Sequence, residues 1–357
     1  MAAFRRPRAV ARSGPVPGVE PASDRITVKA FFNKSASLPG VRAVFALVLM
    51  LYLAGHAGAN DPTVIRIGYQ KYGTFNVVRA HGDLDRALSR SGKKIQWLLF
   101  SAGPQLLEAL NAGSIEVGNT GEAPPIFAQA ANPSLVYLGN QPPFPEGEAL
   151  LVPRSSAVSS VAALKGKKVV LNKGSNVHYF LVKALERAGL RYTDVQTAFL
   201  PPPEARAAFE SGRVDAWAIW EPFLTAAEQA TGAKVLTTGK DLAPNREFFL
   251  STRGFIAKNP EFLPALAAAV NGAGRWVTDK PSEVAAYLAK EVGMDAPILE
   301  SIIRREPWGF RPVDAAVVAD QQAIADLFFS LKLIPKSVRV ADAVVTAPSG
   351  TASSNSR

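Results

Sequence analysis

Cysteine is absent from the 357 residues, which excludes disulfides, cysteine-ligated zinc and thiol nucleophiles. Histidine is scarce: His56, His81 and His178 are the only three. A histidine-rich metal site is therefore unavailable. A Ser-His-Asp triad would have to use His81 or His178, and no Gly-x-Ser-x-Gly elbow accompanies them. Net charge is also scarce over most of the chain, despite a formal total of +10. The first 59 residues hold eight Lys/Arg and two Asp/Glu, a net of +6, while the remainder holds 32 and 28, a net of +4. No basic stripe interleaved with aromatics is present, so nucleic acid is not an expected partner.

Hydrophobic residues make up 48% and charged residues 20%, in a chain long enough for two domains with substantial cores. Residues 1–33 are rich in Arg, Pro, Ser and Gly and read as a disordered or mis-assigned leader. Residues 34–59 read as a signal peptide. Lys34 and Arg42 precede an uncharged run from Ala43 to Leu53, about 11 residues, too short to span a bilayer. Ala57-Gly58-Ala59 fits small-x-small cleavage, which places the cut after Ala59; the alternative is that the run stays as an uncleaved anchor.

From Pro62 strands and helices alternate. Strands are expected at Val64–Tyr69, Lys94–Phe100, Ile115–Asn119 and Leu135–Leu138, with a helix from Asn76 to Ser89 and others after Ser101-Ala102-Gly103-Pro104 and Thr120-Gly121-Glu122-Ala123-Pro124-Pro125. Gly139 to Gly147 breaks the rhythm and reads as the approach to a domain crossing, with Ala149–Val152 crossing as a strand. A second set follows: strands at Lys167–Leu171, Val195–Leu200, Val214–Ile219 and Lys234–Leu236. Phe248–Ile256 carries the chain back, and the remainder is helical as far as Leu331. The expectation is an α/β fold of two lobes with mostly parallel sheets: 60–148 and 251–341 in the first, 149–250 in the second, and a disordered tail at 342–357. Ligands of open α/β sheets bind beyond the carboxyl ends of the strands, and the polar turns fall at such ends.

The stretch from Val169 to Phe180 shows the pattern most clearly: a buried strand, a Lys-Gly-Ser turn, and a helix capped by Ser175 or Asn176. Free N–H groups at such a junction favour an anion, by roughly 0.3 to 1 kcal/mol and up to about 2 when partly buried.

Several segments together carry a family resemblance. Gly-Tyr-Gln-Lys at 68–71, Ser-Ala-Gly-Pro-Gln-Leu-Leu-Glu-Ala-Leu at 101–110 and Thr-Gly-Glu-Ala-Pro-Pro at 120–125 resemble the aliphatic sulfonate-binding proteins of ABC importers. So do Leu-Lys-Gly-Lys-Lys-Val at 164–169, Asn-Lys-Gly-Ser-Asn-Val-His-Tyr at 172–179 and Asp-Ala-Trp-Ala-Ile-Trp-Glu-Pro-Phe at 215–223. The likeness covers roughly residues 62 to 320. It implies a type II periplasmic binding protein fold with the ligand cleft between two lobes. It also implies alkanesulfonates as ligands, taurine and nitrate receptors as near relatives, and an inner-membrane permease with its ATPase as partners. Glu221 departs from the family, which usually has Asp there. The extra methylene shifts the carboxylate by about 1.5 Å and changes contacts either to the ligand tail or to a hinge.

The ligand-binding candidates follow. Gln70, Ser101 with the backbone at Ala102 and Gly103, Thr120, Gly121, Ser175 and Asn176 supply donors for a sulfonate. Arg253, on the return strand, is the cationic candidate, its alternative being a surface or hinge ion pair. Trp220, Tyr179 and Tyr69 offer apolar wall, with Pro143 and Phe144 adding to it, while Trp217 reads as core and Trp308 as a plug between helices. Glu122 and Glu221 are carboxylates at cleft positions. Glu122 either bonds protein N–H groups or accepts from a ligand amine. His178 either donates to the anion or is a structural residue at a helix start. No cofactor, metal or catalytic role is expected, and a monomer is expected. The rival readings are another small-anion receptor, for taurine, nitrate or a sulfate ester, and an enzyme of the thiamine-pyrimidine type on the same fold.

Overall fold

The computed structural model describes residues 61–345. The expected leader and signal peptide lie outside the described residues. The first run of elements is β1 (Val64–Gln70), α1 (Thr74–His81), α2 (Asp83–Ser89), β2 (Lys94–Phe100), α3 (Gly103–Asn111), β3 (Val117–Gly121), α4 (Pro124–Ala131) and β4 (Leu135–Asn140). The second is β5 (Glu148–Val152), β6 (Lys168–Leu171), α5 (Asn176–Arg187), β7 (Gln196–Phe199), α6 (Pro202–Glu210), β8 (Ala216–Trp220), α7 (Phe223–Thr231) and β9 (Lys234–Thr238). The chain then returns through β10 (Glu247–Thr252) into α8 (Arg253–Lys258), α9 (Phe262–Asp279), α10 (Pro281–Val292), α11 (Ala296–Ile303) and α12 (Ala315–Ser330).

Two sheets form, with orders β2-β1-β3-β10-β4 and β7-β6-β8-β5-β9. Within each, the strands that belong to βα units pair in parallel: β1 with β2 and β3, and β6 with β7 and β8. The exceptions are the crossing strands, since β5 runs antiparallel to β8 and β9, and β10 antiparallel to β3 and β4. Geometry explains both. A segment that arrives from the other lobe enters at the carboxyl ends of the parallel strands and must run away from them.

Sequence pattern accounts for the elements. β5 (Glu-Ala-Leu-Leu-Val) is buried along its whole length, as expected of a strand covered on both faces. On α5, Val177, Phe180, Leu181, Ala184 and Leu185 are all buried, the spacing of a single apolar stripe. Among the described residues no helix is long and apolar enough to cross a membrane.

Four expectations are corrected. The helix expected over 76–89 is two helices, because Gly82 at φ 76° takes the left-handed conformation that closes α1, its N–H reaching the Val78 carbonyl. The lobe boundary at 250/251 moves to before Glu247, because β10 pairs within the first sheet from its first residue. Likewise Glu148 already belongs to the second sheet, opposite Trp220. The tail expected from 342 does not hold for its first residues, since Ala343 is buried and Val344 bridges to Tyr137, and the rest of it lies outside the described residues.

α12 is not confined to one lobe. Its Gln321 amide donates to the Glu122 carbonyl and to the Tyr137 hydroxyl, both in the first lobe. One to two turns further on, Phe328 packs between Phe127 of α4, at 5.2 Å, and His178 and Tyr179 of α5, at 5.6 and 6.3 Å.

Candidate functional site

A cleft of about 100 Å³ opens between the carboxyl ends of the two sheets. Of the residues expected at the site, Gln70, Gly103, Thr120 and Gly121 line it from the first lobe. Ser175, Asn176, Trp220 and Glu221 line it from the second.

Donors are built into the backbone here. α3 and α5 begin at the cleft, and the first N–H groups of a helix have no partner inside it. Ser175 sits at the N-cap position of α5, but its hydroxyl donates back to the Asn172 carbonyl and leaves those N–H groups uncapped. α4 starts with Pro124 and Pro125, which carry no N–H, so the turn at 120–122 contributes the Thr120 hydroxyl and close backbone approach. The approach is tight: a side chain at Gly121 would collide with the Asn176 amide of the opposite lobe, and one at Gly103 with Thr120.

The remaining candidates point elsewhere. Tyr69 faces the opposite side of β1 from Gln70, as alternation requires, and is buried under the Arg79 guanidinium, 4.8 Å away, and edge-on to Trp97. Ser101 is exposed and caps nothing, and Ala102 takes the N-cap position of α3 with its methyl buried. His178 is buried: the Gly174 N–H donates to Nδ1 at 3.2 Å, so Nε2 carries the proton and donates to the Tyr192 hydroxyl at 2.7 Å. Burial, with Lys173 nearby, pushes it down to about 4, so it is neutral. Tyr179 packs on Phe328. Glu122 is fully buried and accepts from the Arg246 N–H at 3.0 Å. Burial raises it to about 7, and its charge helps raise Glu148, which burial already pushes well up.

Arg253 is at the wrong end of its strand. Glu247, the first residue of β10, pairs with Gly121 at the cleft, whereas Thr252 pairs with Leu135 at the far end. Arg253 is exposed there and donates to the Asp342 carbonyl. The cation at the cleft is Arg246, the residue just before β10. Its Nη2 donates to Asp320 at 2.9 Å, and its buried Nε has no hydrogen-bond partner among the described residues. Of the aromatic candidates, Phe144 lines the cleft and Pro143 does not. Trp217 is wholly buried against Phe209, and Trp308 donates to the Ile303 carbonyl.

Other lining residues were not foreseen. Glu247 accepts from the Thr74 N–H at 3.1 Å, from the Thr74 hydroxyl and from the Asn119 amide. Burial raises it in spite of these bonds. Glu306, from the loop after α11, accepts from the Tyr72 hydroxyl at 2.7 Å. Asn245, on one crossing segment, takes a bond from Asn176 at 2.6 Å and donates to the Phe144 carbonyl of the other crossing segment. No local signal marks these residues, because the crossing loops and the helical C-terminal part reach the cleft only through tertiary packing.

Two α/β lobes joined by a double crossing, with a polar cleft facing the strand ends of both, define a type II periplasmic binding protein, and this chain has that fold. Comparison with known proteins narrows the class. Residues 146–293 match the NMT1-like family. The aliphatic sulfonates-binding protein of Escherichia coli (strain K12) is 43% identical over 303 residues, 84% of this chain and 94% of that protein. The crystal structure of the periplasmic aliphatic sulphonate binding protein SsuA from Escherichia coli superposes with a TM-score of 0.74 at 43% identity, covering 81% of this chain and 94% of that one. The alkanesulfonate-binding protein SsuA from Xanthomonas axonopodis pv. citri, bound to MOPS, gives 0.76 at 40% identity, covering 81% and 100%. The chain belongs to the family of aliphatic sulfonate-binding proteins.

Proposed function

We propose that this protein is the solute-binding component of an ABC importer, exported to the periplasm with cleavage after about Ala59. In this reading it captures aliphatic sulfonates as a monomer and delivers them to a permease driven by a cytoplasmic ATPase. The observation that carries the reading is the convergence of uncapped helix starts from both lobes, at Gly103 and Asn176, on one cleft beside Arg246. A sulfonate stays anionic at physiological pH and has three acceptor oxygens. The N–H groups of α3 and α5, the Thr120 hydroxyl, the Gln70 amide and the free Nε–H of Arg246 match it in sign. Trp220 and Phe144 give the organic tail an apolar wall. Because donors come from both lobes, the ligand bonds fully only to the closed form, and that difference in affinity drives closure. The reading is that of a receptor and not of an enzyme: the lone buried histidine near the cleft is committed to Gly174 and Tyr192.

Titrating the purified protein with ethanesulfonate through octanesulfonate, taurine, nitrate and sulfate, followed by Trp fluorescence, tests this. Trp220 at the cleft is expected to report organosulfonate binding. Binding of nitrate or sulfate with no organosulfonate response refutes the assignment.

A further inference from the structure

An ion pair joins the two lobes beside the cleft. Glu221 stands just past β8 in the second lobe, its N–H bonded to the Gly147 carbonyl. Its carboxylate accepts from the Thr225 N–H at 3.1 Å and from the Thr225 hydroxyl at 2.8 Å, both on α7 of the same lobe. The third donor is Arg305 Nη2 at 2.9 Å, and it comes from the other lobe. Arg305 follows α11, whose Leu299, Ile302 and Ile303 are buried in the first lobe's core with Ile67, Phe75 and Val284. The loop after it is held there too, by Trp308 on the Ile303 carbonyl and by Tyr72 on Glu306. Arg305 Nε donates to the Ser301 carbonyl at 3.1 Å, which aims the guanidinium at the second lobe. The two partners differ in burial: the Glu221 side chain is 3% exposed and that of Arg305 47%. Burial raises the Glu221 carboxyl, and Thr225 and Arg305 draw it back. Glu221 lines the cleft, whereas Arg305 does not.

We propose that Arg305 is a positioning residue for binding: through Glu221 it latches the lobes shut and sets how long a ligand stays, without touching the ligand. When the lobes part, the Thr225 bonds travel with the carboxylate, the Arg305 bond breaks and water takes its place. Closing again buries the carboxylate, and a buried charge needs a partner. Arg305 supplies it only in the closed form, so that form is favoured even with an empty cleft. A bound ligand leaves only after the same bond is broken. The inference rests on lobe closure in the receptor reading and not on which anion is bound.

The test uses the missing cysteines. Leu99→Cys at the end of β2 and Phe199→Cys at the end of β7 replace one exposed residue on each lobe, on the edge strands furthest from the crossing strands. Spin labels there report the opening of the ligand-free protein by double electron–electron resonance. Arg305→Gln is expected to add a longer distance that the parent lacks. Stopped-flow Trp fluorescence with ethanesulfonate should show dissociation faster by about tenfold or more in this variant, with association within about twofold of the parent. In a Glu221→Gln background, Arg305→Gln should change neither quantity further, because no buried charge is then left unpaired. Arg305→Lys, which keeps the charge, should give an intermediate shift, and it decides the matter if Arg305→Gln does not fold. Unchanged distances and dissociation rates in both variants overturn the latch. An equal effect of Arg305→Gln with and without the Glu221 charge assigns it to packing and overturns the latch as well. If ethanesulfonate does not bind the parent, the sulfonate reading falls while the distances still decide the latch.

Discussion

Replacing Arg246 with Gln separates binding from folding at the one cationic side chain that lines the cleft among the described residues. The guanidinium is tied to the protein by one ion pair, to Asp320, whose side chain is 45% exposed. Exposed pairs of that kind contribute about 0 to 1 kcal/mol. The Arg246 backbone N–H, which serves Glu122, is unchanged by the substitution. The melting temperature should therefore fall only slightly. Binding should fall much more, because a charge-assisted bond to a sulfonate contributes about 1.5 to 3 kcal/mol, equivalent to roughly 10- to 150-fold in Kd. Arg253→Gln is the matched control. It sits at the far end of β10, about 20 Å away for a six-residue strand at about 3.3 Å per residue, and should leave Kd unchanged. Calorimetric titration with ethanesulfonate, alongside thermal melts, measures both quantities. Sulfonate affinity within twofold of the parent in Arg246→Gln, or a larger loss in Arg253→Gln, refutes the assignment of the cation.

Phe328→Ala should cost about 3 to 5 kcal/mol by denaturant unfolding, because the ring is fully buried between α4 and α5; a loss below about 1 kcal/mol contradicts its role as the joint between lobes. Gly121→Ala places a methyl against the Asn176 amide, and overpacking of about 1 to 3 kcal/mol falls on the closed form; unaltered sulfonate affinity argues against closure at this contact. Stability of the ligand-free protein should decline from pH 6.5 to 8. Glu122 and Glu306, raised by burial to about 7 and about 8, keep protons in the folded state that the unfolded chain has already released. Below pH 6.5 His178, lowered to about 4, acts in the opposite sense, since the unfolded chain then binds the extra proton. A melting temperature that is level or rising between pH 6.5 and 8 contradicts the carboxyl assignments.

The fold was readable because βα alternation and a Gly/Pro-rich break are local signals. Strand β5 and the turn at Lys173-Gly174-Ser175 lie where periodicity and punctuation place them. The half of the site carried by βα turns was readable for the same reason: Gln70, Gly103, Thr120, Ser175 and Asn176 sit at strand or helix ends. Strand direction was not readable. Taking the return strand to run toward the cleft puts Arg253 at its mouth, whereas its antiparallel entry puts Arg246 at the cleft. Side-chain parity near strand ends misled in the same way, sending Tyr69 into the core while Gln70 faces the cleft. Tyr72, Asn245 and Glu306 meet only because distant segments fold onto one another, and no spacing along the chain encodes that meeting.

Two separate strands of backbone, 141–147 and 239–246, join the halves of the molecule, and both enter their sheets beside one another's neighbours. A single tether would leave one half free to swivel. Two tethers act as the spine of a book and restrict motion to opening and shutting about one line. Arg246 and Asn245 lie on that spine, while Trp220 and Gly103 belong to the covers. In the proposed reading an anion held at Arg246 would sit on this spine, with the pages closing over it.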